Sequence, residues 1–258
     1  MILDTLPDTL MGFMADTATL FALMATFLIA GTVKGMIGMG MPAICMVLLT
    51  LFIPPLEAIP LTAIPTMLVN LLQLQRSKAR HIVVKKYSVF GLTLLISIFL
   101  TGFFILSFPE ALLLLALGVA MVVFAVQSLA GFTLRFSRQA YWQVLCGVVA
   151  GFIGGLSSVF SPPIVMYLLG RDADKEEFIA ATGFLFFVGC APLVLALWLN
   201  GVLTLDLAIT SLLGLVVALA GFMLGEWIRH YISQDWFRKL ILLFFLVMGC
   251  RLIVVSLF

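Results

Sequence analysis

The sequence predicts an all-α, polytopic membrane protein of two inverted repeats, each a broken, re-entrant helical hairpin plus three spanning helices. Three observations carry that expectation. The 258-residue chain is 64% hydrophobic and only 10% charged, with a mean hydropathy of +1.26. That is more apolar surface than a water-soluble domain of this length can bury. Two apolar stretches too long for one helix are broken by glycine and proline, about 120 residues apart. Finally, folding both stretches as hairpins gathers twelve of the fourteen Lys and Arg residues on one side.

The first broken stretch covers Thr17–Ile53 and contains GTVKGMIGMGMPAICMVLL from Gly31. A span follows over Leu56–Leu74, then the basic loop QRSKARHIVVKK. Further spans cover Tyr87–Ser107 and, after a turn at Pro109, Ala111–Gly131. The second broken stretch, Gln139–Leu169, contains GVVAGFIGGLSSVFSPPIVMYLL from Gly147. After the loop GRDADKEE come spans over Phe178–Leu199, Leu203–Trp227 and Trp236–Leu257. From Pro42 to Ile53 is roughly 18 Å of helix, short of a hydrocarbon core about 30 Å thick, so this arm cannot cross alone. Pro42 and Pro162 each suit the first turn of a returning half-helix, where a missing N–H costs nothing.

The halves, 1–134 and 135–258, align as a duplication. Gly31, Gly35 and Gly38 fall on Gly147, Gly151 and Gly154, and later Pro42 falls on Pro162, Ile44 on Ile164 and Thr62 on Thr182. If each broken stretch crossed once, the halves would be parallel and the basic residues would divide seven to five between the sides. If each returns as a hairpin, the halves are inverted. Arg76, Lys78, Arg80, Lys85, Lys86, Arg135, Arg138, Arg171, Lys175, Arg229, Arg238 and Lys239 then share one side. The other side carries Asp4, Asp8, Asp16, Glu57, Glu110 and Asp206. Positive loops stay in the cytoplasm, so both termini are expected outside a cell membrane. The acidic N-terminal residues do not make the basic n-region of a signal peptide.

A membrane helix broken at matching places in two halves points to a transport site, because its unpaired backbone N–H groups can hold an anion within the bilayer. Lys34 stands beside the first break, far from any loop. A Lys in a helix centre costs about 2.5–3.5 kcal/mol on insertion scales, so it faces a cavity or partner, or snorkels to the far interface. Its functional reading is a counter-charge for an anionic substrate. Gly35, Gly38 and Gly40 permit tight turns and close approach at the first break, with Met41 and Pro42 opening the returning arm. Gly154 and Gly155 do the same at the second. There Ser157, Ser158 and Ser161 supply hydroxyls before Pro162 and Pro163. The competing reading for the small residues is helix packing. Asn70 and Gln73 share one face of the second span. Asn70, Gln73, Thr62 and Thr182 each read either as interhelical hydrogen bonds or as ligand contacts, and Tyr167 either as a cap on the site or as packing. Arg251 reads as snorkelling from the last span, and His81 and His230 as solvated. Cys45, Cys146, Cys190 and Cys250 all lie in apolar runs and read as buried small hydrophobes, not disulfides. No CxxC and no cluster of metal ligands is present, so no cofactor or metal is expected. The spread basic residues do not form a nucleic-acid surface.

GTVKGMIGMG at 31–40, the second glycine-rich stretch with its Pro-Pro and Tyr, and KEEF at 175–178 together resemble the TauE/SafE family of membrane anion transporters, often called sulfite exporters. Met41 stands where members often have a third glycine, and Lys34 where they often carry a small residue. The resemblance implies a secondary transporter exporting sulfite or a small organosulfonate by alternating access, with lipid and a small anion as its partners. The alternatives are an anion channel and a carrier of a small organic carboxylate. An intramembrane enzyme is not expected, because no acid–base pair or metal ligands lie within the spans.

Overall fold

The computed structural model describes residues 17–131, 135–137, 139–228, 231 and 234–257. Asp4, Asp8, Asp16, Arg138, Arg229 and His230 lie outside them, as do the side chains of Lys175 and Arg238. The described chain is helical. In order the helices are α1 (Thr17–Ile37), α2 (Met41–Leu49), α3 (Pro55–Arg76), α4 (Arg80–Lys86), α5 (Ser88–Phe103), α6 (Glu110–Ala130), α7 (Ala140–Ser157), α8 (Ser161–Leu169), α9 (Lys175–Leu199), α10 (Leu205–Ile228) and α11 (Gln234–Leu257). Six of them, α1, α3, α6, α7, α9 and α10, are long and apolar enough to cross a membrane. The pair α4 and α5 makes a seventh candidate, bent by 69° at Tyr87. Exposed Leu92, Ile96 and Leu100 on α5, and Val216, Met223 and Trp227 on α10, form the lipid-facing surface of a multi-pass membrane protein.

Contacts between helix ends fix the direction of the helices. The end of α3 meets the end of α10, where Arg76 lies 3.7 Å from Glu226. The end of α1 is there too, with Gly35 packed on Phe222 and Gly225. The start of α9 joins them, since Gln73 Nε2 donates to Ile179 O at 2.8 Å. At the same face Lys86 and Tyr87, at the α4–α5 joint, bond Glu177 of α9. Gln143 near the start of α7 donates to Lys86 O at 3.2 Å. Thus α1, α3 and α10 run toward this face, whereas α5, α7 and α9 run away from it. Because α1 and α3 run the same way, α2 between them carries the chain back. The second broken segment also returns: Gly170, after α8, accepts from Phe136 N at 3.1 Å, just before the start of α7.

Helix partners are exchanged between the two halves. α1 packs along α10 and α7 along α5, while α3 lies against α9 and α6 against α11. Both crossings of the first kind are made through small residues. A Cβ on Gly31 would come within 2.2 Å of Ala218 O, and one on Gly225 within 2.0 Å of Thr32 O. In the other pair a Cβ on Gly151 would sit 2.4 Å from Ser97 Cβ, and one on Gly155 2.6 Å from Thr101 Cβ. Without a hydrophobic drive between helices in lipid, such close backbone contact supplies the dispersion and weak polar contacts that hold a bundle.

Two sequence expectations change here. The loop QRSKARHIVVKK contains the short helix α4, and α9 begins at Lys175, inside the expected loop GRDADKEE. There Asp174 caps the helix, its Oδ1 accepting from Glu177 N at 2.8 Å. Cys45, Cys146 and Cys190 are buried and unbridged, but Cys250 is exposed on α11. A membrane protein is apolar on its outside as well as its inside, so an apolar run does not say which way a thiol faces.

Candidate functional site

Proline shapes α3, which carries most of the site. Pro60 and Pro65 stand inside it. Pro65 has no N–H for the carbonyl four residues back, Leu61 O, and Ser211 of α10 donates its hydroxyl to that oxygen at 2.9 Å instead. A neighbouring helix thus satisfies the backbone group that the proline frees inside the bilayer. Beyond Pro65, Thr66, Asn70 and Gln73 follow at i, i+4 and i+7 and form one buried polar stripe.

Lys34 meets that stripe. It is 0% exposed, and its Nζ donates to Asn70 Oδ1 at 2.7 Å. Asn70 Nδ2 in turn donates to Thr66 O at 2.7 Å, which fixes the orientation of the amide. The ammonium also lies 5.9 Å from the centre of the Phe186 ring, a cation–π contact from α9. Among the described residues Lys34 forms no ion pair. Its Nζ is held by a neutral amide and a ring.

A cavity of about 510 Å³ leads to Lys34. It is lined by Lys34, Gly35 and Gly38 of the first hairpin, Gln73 and Arg76 of α3, and Ser77 and Lys78 beyond it. Glu176 and Ile179 of α9 and Phe222 and Glu226 of α10 complete the wall. The ends of α3 and α10 and the start of α9 therefore mark its mouth. Four halves of helix pairs meet here, because the helix that is broken, α1, ends where α3, α9 and α10 converge.

The glycines of the first break divide into two kinds. Gly31 and Gly35 belong to the α1–α10 contact. Gly38 and Gly40 form the break itself, at φ +89° and +94° in the left-handed region that glycine enters freely. Gly38 N donates to Lys34 O at 2.7 Å, closing α1, and Ile44 N donates to Gly40 O at 3.0 Å, opening α2. Met41 and Pro42 are buried at the start of α2 and do not line the large cavity. Gly40 lines a small apolar one with Phe124 and Phe245.

The second break lacks a left-handed glycine. Ser158 takes that role, at φ +60°. Ser157 donates to Ile153 O at 2.8 Å and accepts from Val159 N at 3.2 Å, tying the turn to α7. Ser158 Oγ is fully buried with no hydrogen-bond partner. Ser161, Pro162 and Pro163 open α8, with both Ser161 and Pro162 buried. Phe160, between the break and α8, packs edge-on against Phe186 at 5.3 Å, the ring that also contacts Lys34. The second break thus lies one aromatic layer from the ammonium and outside the cavity wall. Thr62 is bonded to Ile59 O at 2.9 Å, and Thr182 to Phe178 O at 2.9 Å while also accepting from Gln73 Nε2 at 3.2 Å. Tyr167 lies in an aromatic cluster with Tyr87, Phe90 and Phe136 at the end of α8.

The halves contribute unequally. At the offset that sets Thr62 on Thr182, Thr66 falls on Phe186 and Asn70 on Cys190. One half presents the Asn70 amide to Lys34, and the other the Phe186 ring. Gln73 was legible as the polar residue that shares a face with Asn70, whereas Arg76, Glu226 and Phe186 lay among span ends and aromatic residues without distinction.

A multi-pass helical membrane protein with a buried cation at the end of an open cavity belongs to the class of membrane carriers and channels for small anions. The chain is a member of the sulfite exporter TauE/SafE family, whose family model matches residues 23–252. That is a family of membrane exporters of sulfite and related sulfur anions. Comparison with curated proteins and with solved structures gave no match.

Proposed function

We propose that the protein is a secondary transporter that exports a small sulfur-containing anion, sulfite or an organosulfonate, from the cytoplasm by alternating access. The observation that carries this reading is the bond from buried Lys34 to Asn70 at the closed end of the cavity. The first break supports the site by bringing Gly38 to the cavity wall. The second supports it more remotely, with the unpartnered Ser158 hydroxyl behind Phe160 and Phe186. In this reading the two halves are inverted repeats. What supports that is the opposite direction of equivalent helices, α1 against α7 and α3 against α9, together with the exchanged packing partners. The cavity mouth lies among Arg76 and Lys78, so the positive-inside rule makes this the inward-open form. Rocking of one half against the other about the α3–α9 contact would close this mouth and open a path from the opposite face.

Lys34→Ala abolishes sulfite and sulfonate counterflow in proteoliposomes while leaving the thermal unfolding temperature and monodispersity of the purified protein near wild type. Full counterflow in the variant would remove Lys34 from the substrate site. Saturable counterflow also separates this reading from an anion channel, which would instead carry large currents without exchange.

A further inference from the structure

Arg76, Lys78, Glu176 and Glu226 line the cavity besides buried Lys34. The helix ends give each a different setting. α1, α3 and α10 all bring their carboxyl ends to this face, and such an end carries negative partial charge. Arg76, in the last turn of α3, sits where a cation is favoured. Glu176, in the first turn of α9, sits where a carboxylate is favoured. Glu226, in the last turn of α10, sits at the end that disfavours a carboxylate. Its backbone is fixed there, because its N lies 2.8 Å from where a Cβ on Gly35 would stand, next to Lys34.

The Glu226 side chain is 40% exposed and that of Arg76 56%, with Oε2 3.7 Å from Nη1. A charge-assisted hydrogen bond spans about 2.7–2.9 Å, so these charges attract without bonding. Among the described residues the Arg76 guanidinium donates no hydrogen bond. Its planar fork of donors is therefore open. A guanidinium takes an oxyanion through two parallel N–H bonds. An exposed ion pair contributes little, so an anion entering the mouth displaces the Glu226 carboxylate from Arg76. Arg76 lies six residues past Asn70, roughly 9 Å further along α3, so an anion held there is a short step from Lys34.

We infer that Arg76 is an outer anion-binding residue of the cavity, and that Glu226 is a built-in competitor that the anion displaces. The inference rests on the reading of the Lys34 cavity as the substrate site. It gives the two residues opposite effects. Arg76 raises affinity for an anion, by bonding it and by offsetting the three helix carboxyl ends. Glu226 lowers affinity, by occupying Arg76 and by adding negative charge at the mouth. A merely structural ion pair would make them act alike, because removing either partner loses the same contact.

The test titrates sulfite and ethanesulfonate, the second a fixed monoanion, into the purified full-length protein by calorimetry. Arg76→Gln weakens binding about 10-fold, the loss of a hydrogen-bonded charge. Glu226→Gln strengthens it about 3-fold, as expected for freeing an exposed partner. In the Arg76→Gln background the gain from Glu226→Gln falls toward one, because the cation it frees is gone. Arg76→Lys keeps the charge without the fork, loses less than Arg76→Gln, and stands in if the Gln variant does not fold. Weaker binding in both single variants, or unchanged binding in either, overturns the inference. So does a gain from Glu226→Gln that persists undiminished without Arg76. Each of these outcomes leaves the carrier reading intact, since the wild type still binds. Binding of neither anion by the wild type overturns the carrier reading and this inference with it.

Discussion

Lys34 and Asn70 form a pair whose energetics are set by the bilayer. An ammonium inside a helical bundle keeps its charge only where something replaces lost hydration, and here an amide oxygen at 2.7 Å and the face of Phe186 do so in part. A neutral partner holds the cation in place without neutralising it, which a carboxylate would do. Replacing Asn70 by Leu removes that hold and leaves the ammonium without its fixed acceptor. The expected result is at least a 10-fold loss of anion affinity in a titration of folded protein, from a hydrogen bond to a charged group of about 1.5–3 kcal/mol. Unchanged affinity in Asn70→Leu would show that the anion meets Lys34 independently of α3. The role of Asn70 as a bonding group on the second span was legible from the sequence, whereas its partner, thirty-six residues earlier, was not. No periodicity links positions on two different helices, and only their packing brings them together.

Helices α1 and α10 carry a contrast between two uses of glycine. A side chain at Gly35 or Gly225 would run into backbone, 2.2 Å from Phe222 O or 2.0 Å from Thr32 O. At Gly38 nothing lies within 4 Å of an added Cβ, and the strain would come from φ +89° alone. Gly225→Val therefore forces α1 and α10 apart and prevents recovery of monodisperse protein, or lowers its unfolding temperature sharply. Gly38→Ala costs about 1–2 kcal/mol and gives a folded protein with a modestly lower unfolding temperature. Comparable losses for the two in a thermal-shift assay would contradict this division. The motif G-x-x-x-G-x-x-G-x-G shows its glycines as equals. That Gly31 and Gly35 pack, while Gly38 and Gly40 turn, depends on where α10 lies. The proline positions were more legible, because Pro42 and Pro162 fall in the first turns of α2 and α8, where the missing N–H leaves nothing unpaired.

Across the whole molecule the face that holds the cavity mouth also holds the α4–α5 joint and the start of α9, tied by Lys86 and Tyr87 to Glu177. Exposed Lys78 marks it for experiment. In a Cys250→Ser background, Lys78→Cys is expected to react with a membrane-impermeant maleimide in inside-out vesicles and to stay unlabelled in intact cells. Labelling only in intact cells would reverse the proposed orientation and make the cavity outward-open. A reporter fused to the C-terminus gives an independent reading, active outside the cell if the basic loops are cytoplasmic.

The sequence alone determined the membrane class, the helical spans, the two breaks, the isolated place of Lys34 beside the first break and the family resemblance. Those properties follow from composition, local periodicity and backbone chemistry, which act over a few residues and leave a visible pattern. Tertiary structure alone decided which glycines pack and which turn, that Cys250 faces outward, and that Ser211 satisfies the carbonyl freed by Pro65. It also decided that Lys34 bonds Asn70 and that Lys34 and Gln73 line one cavity, while Tyr167 lies in an aromatic cluster and the serines of the second break stand one ring away. The physical reason is that in lipid nearly every surface is apolar, so hydrophobicity marks the helices but not their neighbours. Which faces meet is settled by close packing and by the few buried polar groups that must find partners.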